Sequence, residues 1–212
     1  MSTTLRYLFD PLCGWCYGAT PALSSLAEAP EVTVELVPTG LFSGAGARPM
    51  NNEFTAYAWS NDQRIARLTG QSFTEQYRLS VLGDRQQRFD SGPATVALTA
   101  VSLAAPAREL EALKAIQHAR FVDGQDVTRL QTLASLLQSL GLDQAAAMLE
   151  KPGADLLGAN LARTNRAQAL MREFGAQGVP AFIVDSGAQR RLLDASAVYS
   201  NPHALISELK AA

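Results

Sequence analysis

Strand-forming sequence is confined to the two ends of this chain, and that distribution limits the folds open to it more than any other feature. Leu5 to Asp10 is short and aromatic and is bounded by Pro11. Val32 to Val37 alternates, is β-branched, and stops at Pro38 and Gly40. Between them, from about Cys13 to Ala27, Leu23 and Leu26 keep helical spacing until Pro30, so the first forty residues read as a βαβ unit. From Leu41 to about Lys151 strand signals vanish. A Gly/Pro/Asn-rich loop (Ser43 to Asn52) leads into a block expected to hold four or five helices. Within it Ser91 is expected to cap a helix over the apolar run Val96 to Leu103. Asp126 is expected to cap another carrying Leu130, Leu133, Leu137 and Leu140 up to Gly141. The chain then returns to mixed structure: a helix from about Asp155 to Phe174, a strand Ala181 to Val184, a hairpin partner Arg190 to Leu193, and a closing helix Pro202 to Lys210. The expected class is therefore α/β with an all-helical insertion after the second strand. Residues 1–41 and 152–212 form one part and residues 42–151 the insertion.

The chain has two cysteines, and they stand in one motif, Cys13-Gly14-Trp15-Cys16, where the first strand pattern gives way to the first helix pattern. Residues i and i+3 of a helical turn have Cα atoms roughly 5 Å apart, within the range of about 4.4 to 6.8 Å that a disulfide needs. The pair can open and close in place. The unpaired N–H groups and the dipole of a helix N-terminus favour a thiolate at the first cysteine. A lone bridge spanning two residues would not staple a chain of 212 residues, so the motif reads as a redox dithiol rather than a structural one.

Composition removes several classes. With 47% hydrophobic and 18% charged residues the chain can bury a large core. A net charge of −2 gives no basic field for nucleic acid or anionic lipid. No apolar run reaches about 18 residues, and the N-terminus enters a strand pattern at once, so neither a membrane span nor a signal peptide is expected, and the cytoplasm is the expected compartment. Zinc would want four ligands, and the two histidines, His118 and His203, stand isolated on helix patterns, so no metal site is expected.

Three stretches, Phe9 to Tyr17, Ala119 to Val127 with the Leu-rich helix after it, and Gly175 to Phe182 with its Val179-Pro180, together resemble the DsbA family. That family has a thioredoxin fold with a helical insertion. The chain resembles the signal-less FrnE-like branch, and proteins described as predicted disulfide isomerases, more than the exported oxidase. The resemblance implies that Cys13 is the exposed nucleophile and Cys16 the buried resolving thiol. Pro180 would be a cis-proline facing them, and Val179 would offer backbone hydrogen bonds to a substrate strand. Gly14 and Trp15 would help position that substrate. One departure matters: the acidic residue that exported DsbA proteins and thioredoxins carry six positions before the first cysteine is Tyr7 here. Asp10 either takes over proton transfer or only closes the Asp-Pro turn.

The expected function is thiol-disulfide exchange with protein or small-thiol substrates. A cytosolic glutathione pool near about −220 to −320 mV favours a reductase or isomerase over an oxidant. No tightly bound cofactor is expected. The expected partners are disulfide- or dithiol-containing proteins and the thioredoxin or glutathione system, with glutathione as redox partner and the monomer as default state. Two alternatives stand beside this: a glutathione-dependent isomerase or transferase on the same fold, and a chaperone-like binding module. Tyr7, Phe9, Tyr17, Phe182 and Leu193 read as core. Trp59 reads as either a groove lining or a bundle anchor, and Asn51-Asn52 as a mobile rim.

Overall fold

A computed structural model describes residues 3–187 and 189–200. The expected closing helix from Pro202 to Lys210, and His203 with it, lie outside the described residues. The chain begins β1 (Thr3–Phe9), α1 (Gly14–Ala27), β2 (Val32–Pro38), and ends α8 (Ala154–Glu173), β5 (Ala181–Asp185), β6 (Arg190–Leu192), α9 (Ser196–Ser200). These four strands form one sheet in the order β2-β1-β5-β6. β1 runs parallel to β2, with Tyr7 opposite Leu36, and antiparallel to β5, with Tyr7 opposite Phe182; β6 is the antiparallel hairpin partner of β5.

Period-two alternation in β1 explains the layering. Leu5, Tyr7 and Phe9 face the core shared with Leu23 and Leu26 of α1, while Leu8 faces Ala167 and Leu170 of α8 together with Val37, Ala181 and Ile183. Both faces of the sheet are covered, as a thioredoxin-like α/β layer requires. Arg6, on the α8 side of β1, ties three strands: its guanidinium lies 2.8 Å from Glu35 on β2 and 2.8 Å from Asp185 on β5.

The insertion holds β3 (Arg48–Pro49), α2 (Asn52–Thr69), the short α3 (Glu75–Tyr77) that widens into a π-wound turn over Arg78–Leu82, β4 (Arg88–Phe89), α4 (Gly92–Ala104), α5 (Glu109–Phe121), α6 (Leu130–Ser139) and α7 (Asp143–Glu150). The expectation of a strand-free block is corrected by β3 and β4, which pair antiparallel. Two-residue strands leave no alternation for a sequence pattern to show. α4 is apolar all round and fully buried from Ala97 to Val101, which suits the central helix of a bundle. Its neighbours are α5, α6, α7 and α8.

Two capping expectations come out differently, and a third cap lies where none was expected. Ser91 does occupy the N-cap position of α4 but makes no cap hydrogen bond. Asp126 does not cap α6; its Oδ1 accepts from the N–H (3.0 Å) and hydroxyl (2.5 Å) of Thr128, an Asx turn, and Arg129 is the residue before the helix. Asn51, read as part of a rim, caps α2, its Oδ1 accepting from the N–H of Phe54 at 2.8 Å.

Pro21 sits inside α1. A proline there deprives the carbonyl four residues earlier, that of Tyr17, of its helical donor. The Nε2 of Gln71, just past the C-cap Gly70 of α2, donates to that carbonyl at 3.1 Å. An insertion side chain thus completes the helix that carries the cysteines.

Candidate active site

Cys13 is the residue before α1, in extended conformation with φ −79° and ψ 120°, and no side chain caps the helix. Its N–H bonds the carbonyl of Asp10 (3.1 Å), and its own carbonyl takes the first helical bond, from the N–H of Tyr17 (3.0 Å). The Cys13 sulfur therefore stands where the free N–H groups of the first turn are concentrated, and no acidic residue of that turn competes for them. Both cysteines are free thiols.

The two thiols differ in surroundings. Cys16 is completely buried, and its pKa is pushed well above the ordinary thiol value, chiefly by burial and then by its hydrogen bond and charge interaction with Cys13. Tyr7, at the position where exported DsbA proteins and thioredoxins carry an acid, is a buried core ring stacked on Phe9 and Phe182, and its hydroxyl donates to the carbonyl of Cys16 at 3.0 Å. Cys13 retains 7% exposure, less open than an exposed nucleophile. The cover is the loop before β5: the Cys13 thiol donates to the carbonyl of Val179 at 3.7 Å, and the Val179–Pro180 peptide bond is cis. Val179 and Pro180 thus stand directly over the first cysteine.

Trp15, half-buried, packs edge-on against Tyr199 of α9 with centroids 5.2 Å apart; its carbonyl accepts from the Tyr199 hydroxyl (2.9 Å), and the Arg64 guanidinium of α2 lies 5.6 Å from its ring centroid. Trp59 is partly buried with Arg78 over its ring, an anchor within the insertion.

Asp10 is fully buried. Its Oδ1 accepts from the Leu12 N–H (3.0 Å), closing the Asp-Pro turn, and its Oδ2 accepts from the Phe42 N–H (3.1 Å) and from the Ser91 hydroxyl (2.6 Å). Ser91 spends its hydroxyl here rather than on α4. Burial raises the Asp10 pKa against the pull of those three donors and of Arg120.

Asp62, which the sequence did not single out, comes as close to the motif. It is buried on α2, its Oδ2 accepts from the Tyr77 hydroxyl at 3.0 Å, and its Oδ1 lies against the place where a Cβ on Gly14 would stand. Burial raises its pKa to about 7, opposed by the Tyr77 bond and by Arg120. Arg120 itself is buried, with Tyr77, Phe89 and Phe121 around its guanidinium at 5.4 to 5.7 Å. An aromatic cluster of Tyr17, Phe73, Tyr77 and Phe121 joins this floor to α1. Only Tyr17 of it was expected, because Phe73 and Tyr77 lie on a short, irregular stretch without periodicity.

Among the described residues no group of three or more His, Cys, Asp or Glu could hold a metal ion, and no helix is long and apolar enough to cross a membrane. A concavity of about 610 Å³ runs along β2, away from the dithiol; the charges lining it include the pairs Arg163–Glu109 and Arg166–Glu35.

Residues 4–199 match the family described as DSBA-like thioredoxin domain. No curated protein sequence matches. Among solved structures, the cytosolic disulfide reductase DsbM from Pseudomonas aeruginosa is 32% identical with a TM-score of 0.87, over 99% of this chain and 100% of that one. The same reductase with GSH is 31% identical with a TM-score of 0.82, over 98% of each chain. A candidate protein disulfide isomerase from Nitrosomonas europaea is 25% identical with a TM-score of 0.80, over 100% of this chain and 97% of that one.

Proposed function

We propose that this chain, which belongs to the DSBA-like thioredoxin domain family, is a thiol-disulfide oxidoreductase working through Cys13 and Cys16 as a reductase or isomerase. The observation that carries the reading is the asymmetry of the two thiols: Cys13 at the helix N-terminus beneath the carbonyl of Val179, and Cys16 fully buried behind it.

In the reducing direction the Cys13 thiolate attacks one sulfur of a substrate disulfide. The substrate S–S bond breaks, its second sulfur leaves as a thiolate and takes a proton, and Cys13 is left in a mixed disulfide. Cys16 then loses its proton and attacks the Cys13 sulfur. The substrate departs with both sulfurs reduced, and the two electrons lost by the protein are recorded as the Cys13–Cys16 disulfide. Burial holds Cys16 protonated and silent until the mixed disulfide forms next to it. Gly14 and Trp15 shape the surface beside the nucleophile, Val179 and Pro180 align an extended substrate strand, and Asp10 handles protons at the buried thiol, whose pKa responds to the Asp10 charge.

Glutathione is the reductant we assign, supported by the relative whose structure contains GSH, and the cytosol is the compartment, supported by that relative's description as cytosolic. Protein disulfides and the thioredoxin system are further exchange partners. Residues 42–151 act as the cap on a thioredoxin-like part. The test is the equilibrium of the pair against glutathione redox buffers, read by alkylation and intact mass. A reversible two-electron transition near or below about −220 mV supports the reductase or isomerase. A transition near about −120 to −180 mV would make it an oxidant. A persistent glutathione adduct with no intramolecular disulfide would overturn the redox pair in favour of a glutathione-dependent transferase.

A further inference from the structure

Three buried groups under the motif share too little opposite charge. Arg120 is the buried cation that both Asp10 and Asp62 feel. Asp10 is held by three donors, Leu12 N–H, Phe42 N–H and the Ser91 hydroxyl, whereas the described contacts of Asp62 include one, the Tyr77 hydroxyl. Three donors favour a carboxylate over its acid far more than one does. Asp10 is thus the natural counter-ion of Arg120, and Asp62 is the carboxyl left holding its proton.

The position of Asp62 makes that proton matter. Its Oδ1 is packed on Gly14, the first residue of α1, so closely that a Cβ there would force the carboxyl to move. A carboxylate there competes with the Cys13 sulfur for the same helix N-terminal field; a neutral carboxyl does not. We infer that Asp62 is a positioning residue for the dithiol whose charge acts as a brake on Cys13: protonated, it leaves the first-turn N–H groups to the thiolate, and ionised, it disfavours that thiolate. The inference rests on Cys13 being the nucleophile.

Tyr77 and Arg120 act on Asp62 directly. The elements packed against α2 carry the ionisable groups Cys16 and Tyr17 of α1, Arg78 of the turn after α3 and Tyr199 of α9; Cys13 stands just before α1, and α2 itself carries Arg64 next to Trp15. Tyr77 and Tyr199 are pushed above the ordinary phenol value by burial and stay neutral through the range of interest. The ionisation of Asp62 near pH 7 falls where the braking would be felt in the cell.

The experiment is the rate of iodoacetamide alkylation of Cys13 between pH 5 and 9, in a Cys16→Ser background, for the parent and for Asp62→Asn. The parent is expected to show two inflections, the thiol's own and a second near 7. Asp62→Asn should show the thiol alone, unchanged below about pH 5.5 and faster above pH 7 by about three- to tenfold, the effect of one nearby charge. Superimposed profiles, or a second inflection that survives in Asp62→Asn and so belongs to Asp10, would overturn the inference while leaving the dithiol reading intact. Absence of any Cys13 alkylation in the folded protein would overturn both. If Asp62→Asn does not fold, Tyr77→Phe decides: loss of the one donor should move the second inflection to higher pH, and an unmoved inflection sinks the proposal.

Discussion

At the scale of single residues, Gly14 is the most constrained position in the motif. Its role is not conformational freedom but closeness, since a methyl group there would run into Asp62 Oδ1 and meet Ile65 Cδ1 at 3.2 Å. Gly14→Ala is expected to lower stability by about 1–3 kcal/mol in urea unfolding, the usual cost of forcing an extra carbon into a packed site. Adding Asp62→Ala should recover most of that loss, and a double variant no better than the single would show that the obstruction lies elsewhere. The cysteine pair was legible because its chemistry is local: two thiols, one turn apart, at a strand-to-helix switch. Asp62 was not, because Asn61-Asp62-Gln63-Arg64 reads as a solvated helical face and nothing local says that Tyr77 and Gly14 close over one member of it. Ser91 was found for a local reason, as a residue before a helix, yet its hydroxyl serves a carboxylate 81 positions away.

At the scale of elements, α1 depends on a side chain from outside itself. Gln71→Leu would leave the Tyr17 carbonyl without the donor that Pro21 denies it, at a cost of about 1–3 kcal/mol. Pro21→Ala supplies an N–H to the same carbonyl, so the loss from Gln71→Leu should be much smaller in that background. A double-mutant cycle by denaturant unfolding measures the difference, and additive effects would refute the coupling. The order of a βαβ unit, a helical block and a returning helix and hairpin was readable because periods of two and 3.6 survive in β1, β2, β5 and the longer helices. β3 and β4 were not, since two residues carry no period, and neither was the π-wound turn after α3.

At the scale of the molecule, the buried carboxyls make stability fall as pH rises. An unfolded Asp titrates near about 3.9. Asp62 in the folded chain holds its proton to about 7, so its contribution is complete below the unfolded value and is lost as pH climbs through the folded one. The raised pKa of Asp10 acts in the same direction. Asp62→Asn should therefore be more stable than the parent at pH 8, by on the order of a few kcal/mol, with the gap closing towards pH 4. Parallel urea titrations at the two pH values measure it, and a constant gap would contradict the linkage. The same floor has a second consequence, for access. One carboxylate, Asp10, grips the turn before the motif, the start of the segment after β2, and the head of α4. Two of those bonds, to Phe42 and to Ser91, reach from the turn before the motif into the helical insertion, so the insertion cannot swing away from the motif without breaking both. For the exchange proposed above, the small exposure of Cys13 sets the form of the guest: a disulfide carried on a protruding loop, a loose tail or a small peptide is expected to reach the sulfur more readily than one set flush in a folded surface.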